Sequence, residues 1–85
     1  MKITEERVKE IHLSHDLSKF PLSELHEVDA WIKNHALTQL RIRLRDGGIQ
    51  EALVDYILVM ARSSMGSVET NNLLIALNCY PIWMS

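Results

Sequence analysis

"LRIRLRDGG", residues 40–48, alternates apolar and basic side chains and then runs into a pair of glycines. Alternation of period two describes an amphipathic strand with Arg41, Arg43 and Arg45 on one face. The same residues also describe the last turns of a helix, and the flanking sequence arbitrates. Glu24, Glu27 and Asp29 crowd one end of the longer segment and the arginines crowd the other, the polarity that a helix macrodipole favours. Gly47 or Gly48 supplies the residue that takes positive φ at a helix C-terminus, and Ile49 stands where it folds back on Leu44 as the apolar contact of such a cap. Leucine, arginine and glutamine are good helix formers, whereas only Thr38 and Ile42 lean towards strand. Together these features predict one helix over 23–46 with a left-handed glycine at its end.

The apolar pattern inside that segment changes partway. Leu25, Val28, Trp31, Ile32, His35 and Ala36 recur at spacings of three and four and make one stripe. Leu37, Leu40 and Leu44 then lie about a quarter to a third of a turn further round, while Gln39 and Arg43 fall on the old stripe. Either the helix has two partners along its length, or it stops near Ala36 and a strand over 39–45 comes next.

Outward from this segment the remaining elements also read as helices. A first helix over 4–15 starts from the Thr4 hydroxyl, with Glu5 and Glu6 in its first turn and Ile3 and Val8 placed as a hydrophobic staple. Val8, Ile11 and His15 would share one face. Pro21 biases Phe20 away from helical φ/ψ, and Ser18 or Ser23 is the candidate cap for the second helix. A third helix over 49–63 has one polar face, made by Glu51, Asp55 and Arg62, and apolar residues over most of the rest. A helix that apolar is central either in a bundle or in an interface between subunits; the expectation is near-complete burial, with Leu53 and Ile57 in the core. "SSMGS", 63–67, ends it, and a fourth helix over 68–78 starts from Ser67 or Thr70 and covers the third with Leu73, Leu74, Leu77 and Tyr80. Pro81 stops that helix and leaves a short apolar tail, 80–85. The predicted architecture is all-α: one compact four-helix domain over 1–85.

Size and composition narrow the function classes. A chain of 85 residues buries only about 60 to 65% of the surface its unfolded form exposes, so 47% apolar residues leave a surplus that favours oligomerisation. Nine basic against eleven acidic residues give a formal charge of −2, too little positive charge for the electrostatic footprint of non-specific nucleic-acid or anionic-membrane binding. One cysteine, Cys79, makes no intramolecular disulfide, the N-terminal residues lack a signal-peptide core, and no apolar run approaches the roughly 20 residues of a membrane span. The expected compartment is the cytoplasm.

Few residue constellations carry chemistry. His12, His15 and Asp16 meet only part of the spacing a metal site requires, since three or four convergent ligands and their supporting hydrogen bonds are needed. Ser14, His15 and Asp16 are adjacent and would point in different directions on a helix, which no catalytic triad tolerates. The glycine pair lacks the succeeding lysine of a phosphate-binding loop. No catalytic, metal or cofactor site is expected, and no enzymatic activity.

Two partial resemblances remain. "GGIQEALVDY", 47–56, resembles the turn and second-helix start of a tetratricopeptide-type hairpin, in which glycine reverses the chain and a small residue, here Ala52, lets the helices approach closely. Leu40 and Arg41 stand where that family has a glycine. The resemblance implies antiparallel helical packing and peptide binding. In the strand alternative, "QLRIRL" with two helices after it and "ALNCY" at the end resembles the ribbon-helix-helix repressors, which implies a DNA-binding regulator presenting Arg41, Arg43 and Arg45 to the major groove. The glycine pair at the strand-to-helix junction and the forty residues ahead of it depart from that family.

The functional expectation is a small non-enzymatic module that binds another protein, itself or both: a regulator, inhibitor, adaptor or assembly chaperone that self-associates through the third helix or the tail. Arg41 and Arg45 on a solvated face, and Tyr80, Ile82, Trp83 and Met84 in the tail, are the candidate partner-binding residues.

Overall fold

The computed structural model describes residues 3–84. Among them lie four α-helices, α1 (Glu5–His12), α2 (Leu22–Asp46), α3 (Glu51–Ser63) and α4 (Val68–Ala76), with single 3₁₀ turns at Leu17–Lys19 and Ile82–Met84 and no strand. The all-α expectation therefore holds, and the strand over 39–45 is overturned: those residues continue α2 to Asp46. Ser85, the last residue of the predicted tail, lies outside the described residues, as do Met1 and Lys2.

Side-chain caps start α1 and α4. Thr4 Oγ1 accepts from the Arg7 amide at the start of α1, and Ser67 Oγ accepts from the Thr70 amide at the start of α4. Ser18 does not cap α2; the Pro21 carbonyl receives the amides of Glu24 and Leu25, and Asp16 Oδ1 takes the Ser18 amide in the preceding turn. α1 is shorter than expected, because the Leu13 and Ser14 amides close its last turn on Lys9 and Ile11, which leaves His15 off the helix and off the face of Val8 and Ile11.

The glycine cap forms as the sequence predicts. Gly48 takes φ +81°, its amide bonds the Arg45 carbonyl, and the Ile49 amide bonds the Leu44 carbonyl, the paired bonds of a Schellman motif. The same device recurs after α4, where Asn78 takes φ +59°, its amide bonds Ile75, and the Cys79 amide bonds Leu74. There the apolar contact partners, Leu74 and Cys79, are both fully buried in one cluster. Asparagine is the residue after glycine that best tolerates this conformation.

The chain divides into two compact units, residues 1–33 and 34–85, and α2 passes from one into the other. In the first unit Val8, Ile11 and Val28 are buried, and Leu25, Trp31 and Ile32 are half-buried. Arg7 ties it together. Its guanidinium donates to both carboxylate oxygens of Glu24, at 2.8 and 3.0 Å, pairs with Glu10 at 3.2 Å, and lies 5.2 Å from the centre of the Phe20 ring.

The second unit has an apolar core of Ala36, Leu37, Leu40, Ala61, Leu74 and Cys79, with Leu44, Ile57, Leu58, Met65, Leu77 and Tyr80 packed against it. Ala36 and Ala61 stand at similar distances along the chain from the glycine turn and are both buried, so these small residues allow α2 and α3 to approach. Ala52, the candidate for that role by its resemblance to a tetratricopeptide hairpin, is exposed. Thr70, the buried polar residue, has its hydroxyl hydrogen-bonded to that of Ser64 at 2.6 Å.

Candidate functional site

α3 departs most from expectation. Only Val54 and Ala61 are buried, and Ile57 and Leu58 are half-buried, so the predicted near-complete burial of this helix does not occur within the chain. At 100° per residue these four occupy one side. Leu53, Tyr56, Val59 and Met60 lie on the other, and they are 50%, 55%, 66% and 52% exposed. The helix therefore has two apolar faces, one against the core cluster and one turned to solvent. Exposed Asp55 and Arg62 form the ridge along one edge of the outer face.

This geometry corrects the assignment of Leu53 to the core, whereas Ile57 does pack against it. The signal was present in the sequence: apolar residues cover so much of the α3 circumference that a single neighbouring layer could not cover them all. Periodicity left both a bundle interior and an interface between subunits open for this surplus, and did not say which α3 residues face the chain's own core.

The arginines of α2 have separate fates. Arg45 donates to both oxygens of Glu51, at 2.6 and 2.9 Å, across the glycine turn; the pairing pulls the Glu51 carboxyl below its ordinary range and raises the Arg45 guanidinium. Arg43 Nε donates to the Leu77 carbonyl at 3.1 Å and so braces the end of α4. Arg41 is exposed and makes no hydrogen bond or ion pair with a described residue. Of the two proposed partner-binding arginines, Arg45 already has its charge matched.

The tail residues are likewise unequal. Tyr80 packs against the core cluster and its hydroxyl donates to Asn71 Oδ1 at 2.8 Å; burial raises the phenol above its ordinary value, as it also raises the Cys79 thiol. Pro81 is buried, Trp83 and Met84 are half-buried, and Ile82 is 86% exposed. Most of the tail is thus engaged with its own chain.

Among the described residues no three or more His, Cys, Asp or Glu side chains are grouped to hold a metal ion, and no helix is long and apolar enough to cross a membrane. His12 ends α1 while His15 lies beyond it, so the two do not share a helix face. Comparison of the chain with family models, with curated proteins and with solved structures returned no match.

Proposed function

We propose that the chain is a non-enzymatic protein-binding module that docks through the outer face of α3 and acts in the cytoplasm as a regulator, inhibitor, adaptor or assembly chaperone. The observation behind this reading is the second apolar face of α3, where Leu53, Tyr56, Val59 and Met60 are each half or more exposed. Single exposed apolar residues are ordinary, but a contiguous set of this size on a small protein marks an interaction site. Covering it releases roughly 25 cal/mol for each Å² of apolar area removed from water. Tyrosine and methionine are residue types enriched at the centres of interfaces, and the Asp55 and Arg62 ridge supplies a polar rim. Arg41 belongs to the same unit as a solvated cation available for long-range attraction of an acidic partner.

Cytoplasmic action is supported by Cys79, a buried free thiol. The test is a photo-crosslinking phenylalanine analogue at position 56 in the living cell, with the same analogue at exposed position 27 on the first half of α2 as control. A discrete protein adduct at position 56, absent at 27 and lost when Met60→Glu is added, is the expected result. Absence of any adduct at 56 or at 60 overturns the reading.

A further inference from the structure

We propose that the outer face of α3 is covered by α3 of a second copy of this chain, running antiparallel about a two-fold axis and closed by reciprocal Asp55–Arg62 ion pairs. This inference rests on the docking role of that face and names its occupant. Charge complementarity selects that occupant. Asp55 and Arg62 are seven residues apart, which places them two turns apart on one edge, within about 20° of each other around the axis and about 10.5 Å apart along it.

A two-fold interface is self-complementary: if residue i meets residue j of the partner, j also meets i. When two helices pack antiparallel in this way, each edge faces the same edge of its mate. An edge with an acid near one end and a base near the other then matches itself, so that both Asp55 side chains meet an arginine. A parallel pair would instead set this edge against the opposite one, where Ile57 lies and no charge answers it.

The apolar side chains require the same register. Tyr56 and Met60 lie on the outer face, and opposing each Tyr56 to the other copy's Met60 centres the pair at position 57 to 59. The Asp55–Arg62 midpoint falls within about half a residue of that centre, less than about 1 Å along the helix. One alignment thus satisfies the stripe and the ridge together. Neither charge is committed elsewhere: Asp55 feels Arg45 only through space, and Arg62 makes no ion pair with a described residue. The antiparallel arrangement also aligns the two helix dipoles favourably.

Sedimentation of the purified full chain from low micromolar to near-millimolar concentration tests the occupant. A mass rising to twice 9.8 kDa is expected. Asp55→Arg alone and Arg62→Asp alone each turn two attractive contacts into two repulsive ones, and each should weaken self-association by about tenfold or more. Mixing these two variants should restore a dimer of native affinity, because each copy then offers the charge the other lacks, which no effect within one chain reproduces. A chain that stays monomeric at near-millimolar concentration overturns the second copy as occupant, while an adduct of other composition at position 56 would still uphold protein docking. A dimer indifferent to both reversals, or one not restored by mixing, overturns the antiparallel register.

Discussion

The two halves of α2 both bury apolar side chains, but only the first adds a charged fork to them. Up to Lys33 the helix belongs to a unit that buries Val8, Ile11 and Val28 and adds to them the Arg7–Glu24 fork beside the Phe20 ring. After Asn34 the same helix buries Ala36, Leu37 and Leu40 in an apolar cluster shared with α3 and α4. The boundary between the units, at 33/34, falls three residues before the apolar stripe steps round the helix, and Ala36 of the first stripe already belongs to the second cluster. A single continuous helix can therefore serve two units, and the phase shift in its apolar period lies near the boundary between them. Apolar burial has no charge to titrate or to screen, whereas an ion pair responds to pH and to screening by salt.

The largest break should come from the second half. Leu40→Ala removes a fully buried side chain at the centre of the cluster and should cost about 2 to 5 kcal/mol, read as a fall in melting temperature with loss of amide protection in α3 and α4. Retained protection there would show that the cluster is not the second unit's core. Gly48→Ala forces a Cβ into a left-handed position, at a cost of about 1 to 2 kcal/mol, though nothing crowds the site sterically. Its effect should be confined to the α2–α3 turn and measurable by denaturant midpoint.

The first half should respond to acid. Arg7 holds the Glu24 carboxyl below its ordinary value of 4.5, so the stabilisation is present above that value and is lost as pH falls through the depressed one. Amide protection in α1 should decline over that window, and Glu24→Gln should abolish the dependence while leaving the protection of residues 36–40 unchanged. Glu51 titrates in the same direction, but its loss frees only a surface pair with Arg45. The smallest effect belongs to Leu53→Ala, which trims a half-exposed side chain and should change the stability of the monomer by less than about 1 kcal/mol. Measured at a concentration where the chain is monomeric, a loss comparable to that of Leu40→Ala would return Leu53 to the core.

Where residues act on their own neighbours, the sequence was a sufficient guide. The Thr4 cap, the break at Pro21, a cap at Ser67 or Thr70 and a left-handed residue at Gly47 or Gly48 arise from interactions spanning three to five positions; the structure selects Ser67 and Gly48 from those pairs. The helical reading of residues 40–46 belongs to the same class, because macrodipole polarity, propensity and cap all act within one element. The end of α1 was less legible: His15 continues the apolar spacing, but the closing bonds of the Leu13 and Ser14 amides depend on a turn that the spacing does not encode.

By itself, then, the sequence determined four helices, some of their caps and an apolar surplus, since backbone hydrogen bonding and periodicity are local properties. Only the tertiary structure decided which apolar residues are covered. α3 carries more apolar circumference than its neighbours in the chain can reach, so Val54 and Ala61 are buried while Tyr56 and Met60 face solvent. It also decided that Arg45 hydrogen-bonds Glu51 whereas Arg41 acts on that carboxylate only through space, and that Tyr80 folds back to Asn71 while Ile82 stays exposed. The physical reason is the same in each case: periodicity states that a side chain is apolar or charged, but burial and pairing depend on which other element arrives within a few ångströms.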